Sequence, residues 1–444
     1  MNTASGSSLF GLERRHWLVL IAAWLGWGFD VFDALLFNYV APNCISTLLG
    51  LDIGSPAAKA AVLKWNGTLT SLLLVGWAIG GVLFGRLADR IGRARALLLT
   101  TLVYGVATAA CALAPNLEFL IVCRAVASLG IGGEWAAGAT LVAETVPESK
   151  RLTAAAWMQS ASPCGLFLAM FVNYQIAGVW LAQDPAHSWR YIFLSGLLPA
   201  CVVLTLRLTA LEPGSWQRAR QSAAVSRLSE LFGPEFRHAT FSALGMSVVA
   251  LLTWWSFIAF LPTIASGLAL EHAARLGLTG TSALVLAEKW KLQATLAFNL
   301  GGLIGSVLTA IVARRLGRRG AFAAYFAASG LAMLAMFGLP LEPLAVLRAS
   351  FFVGVAAYGV FGLFAFYLPE LFPRRLRATG AGFTYNFGRV FAAPGPFLVG
   401  WVATQGLNGT ATAMQVLFYM GFVPLAALFF VRLIPETRAR QLDG

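Results

Sequence analysis

The chain has 444 residues, of which 58% are hydrophobic and only 11% are charged, and its mean hydropathy is +0.74. Soluble proteins carry about 25% charged residues, so this composition excludes a soluble enzyme or a soluble binding domain. The formal net charge is +13, but the arginines gather in short loops between apolar segments, so we expect no nucleic-acid partner.

Apolar segments long enough to cross a lipid bilayer, which takes about 20 residues, follow one another along the whole chain. We predict about twelve of them, near residues 17–40, 64–85, 96–114, 117–143, 152–176, 189–210, 238–263, 288–312, 320–340, 343–368, 378–403 and 411–434. The first segment is too long for a signal peptide, and no small-residue cleavage site follows it. The sequence therefore predicts an all-α, multi-pass membrane protein.

The loop charges predict the orientation of the chain. Arginine-rich loops, such as those containing Arg86 and Arg314, lie on the same side of an even-numbered topology as both termini. The opposite loops carry few cations, among them Lys289 and Lys291. By the positive-inside rule both termini are cytoplasmic, and the arginine-rich, lysine-poor composition favours a bacterial inner membrane.

The sequence repeats itself with an offset of about 225 residues. The landmarks that return are Lys64-Trp65 as Lys289-Trp290, Gly76 and Gly80 as Gly301 and Gly305, Arg124 as Arg348, and Glu144 as Glu370. Parallel repeats of this kind form the two bundles of one class of transporters. We predict an N-terminal bundle over 1–213, a cytoplasmic linker over 214–237 and a C-terminal bundle over 238–444.

The loop from Gly85 to Arg93, which contains Asp89, Arg90 and Gly92, resembles the signature between helices two and three of the major facilitator superfamily. The resemblance covers essentially the whole chain. It implies the major facilitator fold, with about twelve transmembrane helices in two pseudo-symmetric six-helix bundles that alternate in access. It also implies a transporter that functions as a monomer and needs no cofactor.

Three further segments are similar to bacterial organic-anion:proton symporters of the sialate, aromatic-acid and metabolite groups. They are Asp30–Asp33, Gly132–Trp135 and Arg377–Arg389. Helix seven, over Met246–Pro262, lacks the paired glutamines expected of sugar porters. The resemblance therefore implies a small organic anion and H⁺ as the transported species, and it weakens a sugar or polyol substrate without excluding it.

Charged groups within the apolar segments are candidates for function, because each costs roughly 2.5–3.5 kcal/mol at the centre of a spanning helix. Asp30 and Asp33 share one helix face. Asp33 and Arg124 both lie ~10 Å from the outer ends of their helices, so we expect them to pair. Arg124 beside it would favour the ionised form of the Asp33 carboxylate, whereas burial would favour the protonated form. A site that can switch between the two forms would couple transport to protons. A static buried ion pair is the alternative.

Arg389 is predicted to lie near the membrane midplane and to anchor a substrate carboxylate, because guanidinium binds carboxylate through two parallel hydrogen bonds. Tyr385 and Asn386, one turn away, offer further donors. The alternative is a structural bridge from Arg389 to Asp30 or Glu134. Glu134 itself, beside two glycines, either forms a polar contact between packed helices or carries a proton, and we favour the first.

Four more residues are predicted to contribute to the substrate path. Arg348, the repeat mate of Arg124, is either a second anion ligand or a relic of the duplication. Trp254 belongs to tryptophans of helices one and seven that line a cavity or pack against lipid. Gln159 and Tyr358 complete the predicted lining.

The family resemblance implies gates on the cytoplasmic side. Asp89 is expected to face the N-terminus of helix eleven, where a carboxylate satisfies free N–H groups and the helix dipole. Arg314 replaces this aspartate in the second copy, so we expect the latch on one side only. Two acid–arginine sets are expected to complete a charge network that serves gating or merely orientation: Glu144 with Arg151, and Glu370 with Arg377.

Taken together, the sequence predicts a secondary transporter that imports a small organic anion, a carboxylate, with protons. It shows no catalytic nucleophile set, phosphate loop or metal-ligand cluster, and its five cysteines have no metal or disulfide spacing. We therefore expect no enzyme activity, metal or cofactor. The alternatives are a sugar or polyol:proton symporter and a transporter-like membrane sensor.

Overall fold

The computed structural model describes residues 12–91, 93–132, 142, 145–208, 228–373 and 376–437. Within these ranges the elements of regular secondary structure are helical, with no β-strand. The α-helices are α1 (Arg14–Leu48), α2 (Pro56–Ile91), α3 (Arg93–Cys111), α4 (Leu117–Gly132), α5 (Glu148–Gln159), α6 (Ala161–Asn173), α7 (Pro185–Ser195), α8 (Leu197–Leu208), α9 (Arg237–Arg275), α10 (Gly280–Gly338), α11 (Pro343–Glu370), α12 (Arg377–Ala392), α13 (Pro394–Ala403), α14 (Gly409–Met420) and α15 (Phe422–Val431). A π-helix (Tyr174–Trp180) follows α6, and a 3-10 helix (Leu228–Phe232) precedes α9.

Seven helical stretches of the described residues are long and apolar enough to cross a membrane. One of them, α10, has 59 residues. At about 1.5 Å per residue it is roughly three times as long as the hydrocarbon layer is thick. Gly317 interrupts it with φ +74°, a conformation that favours glycine, so α10 comprises two successive spans. This break separates the predicted segments 288–312 and 320–340.

The predicted span 378–403 consists of two helices, α12 and α13. Pro394 follows the break at Ala393 and has no N–H to continue the helical ladder. The main-chain oxygen of Ala393 accepts a hydrogen bond from Ser71 Oγ on α2, at 2.6 Å. This bond joins α2 of the first half to the break between α12 and α13.

Glycines let helices approach closely at matching places in the two halves of the chain. A Cβ atom on Gly80 of α2 would overlap the main chain of Leu129 on α4. Its repeat mate Gly305 on α10 has the same relation to Val355 on α11. The repeated glycines therefore let α2 pack closely against α4, and the first part of α10 against α11. Small residues act in this way in membrane bundles.

The two halves, residues 12–208 and 228–437, meet along one interface. We call the end of the bundle where α1 begins and α15 ends the inner end, and the opposite one the outer end. Six hydrogen bonds that join the halves lie between mid-span and the outer end: Tyr39–Thr295, Asn66–Ala259, Ser71–Ala393, Asn173–Glu288, Gln183–Thr281 and Lys291–Tyr39. The outer side of the interface is therefore closed.

The inner end of the C-terminal half is tied together by the last described residues. Arg318 donates from Nε and Nη2 to the carboxylate of Glu370, at 3.1 and 2.7 Å. Glu436 accepts hydrogen bonds from the main-chain N–H groups of Arg318 and Arg319, both at 3.0 Å. A carboxylate at the start of a helical segment satisfies its free donors, so Glu436 stabilises the restart of α10 after Gly317.

The close helix approach at Gly305 is testable. Gly305→Val is expected to destabilise the protein by about 1–3 kcal/mol, because the new side chain overlaps the α11 backbone. Gly245→Val on α9 is the control, since nothing lies within 4 Å of a Cβ there. Melting temperatures in detergent check the contrast, and equal values for the two variants would contradict it.

Candidate substrate and coupling sites

A cavity of about 380 Å³ lies between the two halves at mid-span. The lining residues come from both halves and are Trp27, Val31, Ala34, Leu35, Trp77, Gln159, Ser162, Trp254, Trp255, Tyr358, Phe361, Tyr385 and Arg389. Of the predicted substrate residues, Arg389, Tyr385, Gln159, Trp254 and Tyr358 are thus brought together.

Aromatic rings form most of the cavity wall. Trp254 packs edge-on against Trp255, Tyr358 and Phe361, with ring centroids 4.7, 6.2 and 5.6 Å apart. The indole Nε1 atoms of Trp254 and Trp77 are buried and have no hydrogen-bond partner among the described residues. Because a buried N–H group usually finds a partner, these two donors are available to a ligand.

Arg389 is fully buried, with 1% of its surface exposed. Its guanidinium lies 4.2 Å from the ring centroid of Trp77 and 4.5 Å from that of Tyr385, and it donates to Oδ1 of Asn386. Nε has no partner, and none of the described acidic residues forms an ion pair with it. Aromatic faces only partly replace a counter-ion, so this cation has no anionic partner in the part of the chain that the structure describes.

This geometry bears on the alternative interpretation of Arg389. Asp30 is fully buried on α1 but does not bond Arg389. Glu134 lies outside the described residues. The structural bridge from Arg389 to Asp30 is therefore absent, and the asparagine is its only hydrogen-bonding side chain among the described residues.

Asp33 lies behind the cavity wall, within the N-terminal half. Its Oδ2 accepts a hydrogen bond of 2.8 Å from Thr108 on α3, whereas its buried Oδ1 has no partner among the described residues. The neighbouring residues Ala34 and Leu35 line the cavity. Helix α1 therefore carries the carboxylate on one face and part of the cavity wall on another.

The expected ion pair between Asp33 and Arg124 is not formed. Arg124 donates instead to the main-chain oxygens of Asp33 and Ala34, at 3.4 and 3.0 Å. The two residues are neighbours, as their equal depth predicts, but the planar guanidinium fork points at the α1 backbone while the carboxylate turns to Thr108. Arg124 thus holds α1 through main-chain atoms.

Arg348 does not belong to the site. It lies near the outer start of α11 and is exposed, whereas its repeat mate Arg124 is buried in α4. The two repeats share the arginine but differ in what covers it. Arg348 therefore does not line this cavity, and of its two interpretations the relic of the duplication fits the exposed position.

The predicted gating residues are only partly described. Gly92 and Glu144 lie outside the described residues, as do the side chains of Asp89, Arg90, Arg93 and Arg151. Gly85 is exposed near the inner end of α2. Glu370 pairs with Arg318, whereas Arg377 donates to the main-chain oxygen of Pro369, at 3.1 Å. Glu370 thus has Arg318 as an ion-pair partner.

The sequence analysis missed a buried ion pair. Lys291, which it assigned to an outer loop, is 1% exposed inside α10 and lies 2.6 Å from Glu288. Opposite charges three residues apart at the start of an apolar segment were the available signal. The lysine was discounted because it lies near the predicted end of a span.

Two helical halves with a cavity between them are the architecture of secondary transporters built from parallel repeats. The model of the Major Facilitator Superfamily matches residues 17–396, and the chain belongs to this superfamily. The predicted family and fold class are confirmed, and the chain is a multi-pass membrane protein of a transporter family.

The chain is similar to the following two relatives and one solved structure. A protein of Cupriavidus pinatubonensis described as "Probable 4-methylmuconolactone transporter" is 30% identical over 425 residues, which cover 95% of this chain and 91% of the relative. The gentisate transporter of Corynebacterium glutamicum is 28% identical, with coverages of 93% and 88%. A D-xylose–proton symporter superposes with a TM-score of 0.72 at 19% identity, covering 96% of this chain and 99% of that one. At this identity the structural likeness shows the fold alone.

Because none of the described residues forms an ion pair with Arg389, removing its charge is not expected to destabilise the protein. Arg389→Met is expected to leave the melting temperature unchanged or raised, because a buried charge without a counter-ion is replaced by an apolar chain. Arg124→Met is the control and is expected to lower it by about 2–4 °C, because two hydrogen bonds to α1 are lost. An equal loss in both variants would assign Arg389 a structural role.

Proposed function

We propose that the chain imports a small organic anion, a planar carboxylate, together with protons. The single observation that carries the proposal is Arg389, a buried cation between two aromatic faces with no acidic partner among the described residues. An incoming carboxylate supplies the missing charge. A neutral sugar would leave the guanidinium uncompensated.

The cavity suits such a ligand in shape as well as charge. The guanidinium can bind a carboxylate through two parallel hydrogen bonds while Trp77 and Tyr385 fix its plane. The indole N–H groups of Trp77 and Trp254 offer donors to ring or side-chain oxygens. The relatives named for 4-methylmuconolactone and gentisate support an organic acid as the substrate.

Asp33 is the proposed proton carrier. Its carboxylate is buried, and only one oxygen has a partner among the described residues, so burial opposes its charged form. Protonation removes that penalty, and release of the proton restores it. Because Asp33 and the cavity-lining Ala34 are neighbours on α1, a movement of this helix couples the proton to the substrate site.

The remaining features of the cycle are proposals from the sequence. The bundles comprise residues 1–213 and 238–444 with the linker 214–237 between them, and the monomer is the working unit. Asp89 latches the cytoplasmic side against the N-terminus of the eleventh predicted span, residues 378–403. Both termini face the cytoplasm, and the protein lies in a bacterial inner membrane.

Uptake into proteoliposomes tests proton coupling. Gentisate, lactate, sialate and xylose are offered with and without an inward proton gradient. We expect gradient-driven accumulation of an acid by the wild type and its loss in Asp33→Asn, with exchange retained, because the amide cannot release a proton. Asp52→Asn, in the exposed loop after α1, is the control and keeps accumulation. Accumulation by Asp33→Asn equal to the wild type would refute the assignment, and binding without flux would favour a sensor.

Substrate binding tests the anchor. Arg389→Lys is expected to weaken binding of the transported acid by at least about tenfold, because a point charge cannot reproduce the planar fork. The matched control is Arg348→Lys, an exposed arginine at the outer end of α11, with unchanged affinity. Affinity is measured by calorimetry or scintillation proximity in detergent. Equal affinities of the wild type and Arg389→Lys would exclude the anchor.

A further inference from the structure

A buried ion pair near the outer end of α10 has no part in the proposed binding or proton step. Lys291 Nζ lies 2.6 Å from Glu288 Oε1, and both side chains are almost completely buried. They are three residues apart on one helix, so the pair forms within α10 whatever the rest of the protein does.

Each member of the pair also binds the other half of the protein. Asn173, the last residue of α6, donates to Oε2 of Glu288 at 2.7 Å. Lys291 donates to the main-chain oxygen of Tyr39 on α1, at 3.2 Å. The pair is therefore the point where α10 is fastened to two helices of the N-terminal half.

The chain is specially shaped at this contact. The π-helix after α6 brings Gly178 against Glu288, where a Cβ on the glycine would lie 3.1 Å from Glu288 Cβ. Single-turn π segments in membrane and soluble helices are frequent at functional sites. Here the π-helix extends the fifth span over the carboxylate.

The pair lies on the route between the outside and the substrate cavity. On its inner side, Tyr39 donates from Oη to Thr295 Oγ1 at 3.2 Å, one turn along α1 from the cavity-lining Leu35. On its outer side is a second cavity, of about 540 Å³, lined by both halves and including Lys59, Ser266 and Glu288. Glu288 is thus the inner boundary of an outer vestibule.

We propose that Glu288, Lys291, Asn173 and the Tyr39 carbonyl form the outer gate of the transporter, which parts in every cycle. The proposal rests on the proposed alternating-access transport, because the two halves must separate on the outer side, here at α1, α6 and α10, before a substrate from outside can reach Arg389. Of the hydrogen bonds that the pair makes, opening breaks those to Asn173 and to the Tyr39 carbonyl. The ion pair stays intact on α10, so no charge is left alone when the halves separate.

Labelling of a cysteine below the gate tests this assignment. Leu35→Cys is placed in a background without the five native cysteines and exposed to a membrane-impermeant maleimide in right-side-out and inside-out vesicles. Adding Asn173→Ala is expected to raise labelling from the outer side about tenfold, because a hydrogen bond to a charged group no longer holds the gate closed. The double variant Glu288→Gln, Lys291→Met is expected to do the same without leaving an unpaired charge.

The matched control is Ser350→Ala. This change removes a buried hydrogen bond of 2.9 Å from α11 to the main-chain oxygen of Ala294 on α10, within one half. It should leave labelling unchanged. Outer labelling equal to that of the parent in both gate variants would overturn the gate.

The labelling requires no substrate, so it separates the gate from the proposed function. Faster labelling in the gate variants with no uptake of any acid would support the gate and refute anion import. Unchanged labelling with normal acid uptake would refute the gate and leave the import proposal standing. Faster labelling in the Ser350→Ala control as well would also overturn the assignment, since any weakening of α10 would then suffice.

Discussion

A charged group inside a membrane protein must find its partner within the protein, because lipid offers none. Arg124 meets this constraint through main-chain oxygens of α1, and Lys291 through Glu288. Arg318 meets it through Glu370 at the inner end. Arg389 is the exception among these arginines and lysines, since within the described residues an amide and two aromatic faces are its partners. This unmet requirement is the reason for proposing that a ligand binds there.

Packing in the two halves is symmetric, whereas the chemistry is not. Gly80 and Gly305 draw equivalent helix pairs together, and this contact depends only on the absence of a side chain. The buried charges have no such counterparts. Asp33 belongs to the first half, Arg389 and the Glu288–Lys291 pair to the second. The two halves therefore share a mode of helix packing, and single residues that differ between them carry the buried charges.

Apolar length, the repeat and the loop signature were enough to predict the fold, because each reflects a constraint that acts along the chain itself. Arg389 was identified as a candidate for the same reason, since a cation deep in an apolar segment is costly without a partner. Trp77, whose ring lies against its guanidinium, was not singled out. Side-chain direction was not predictable. Depth alone suggested that Asp33 and Arg124 form an ion pair, but the carboxylate and guanidinium turn to different partners. The position of Lys291 near the end of a predicted span likewise did not predict that its side chain is buried, because its burial depends on α1 and α6, which are distant in sequence.

The ion pair within α10 has an electrical consequence. A cell membrane holds a potential, and each elementary charge that crosses it exchanges about 2.3 kcal/mol per 100 mV. Glu288 and Lys291 are 2.6 Å apart on one helix and move as a unit without net charge. A rocking of α10 against α1 and α6 therefore carries no gating charge at this point. In the proposed cycle the field across the membrane therefore acts on the transported species and not on the Glu288–Lys291 pair.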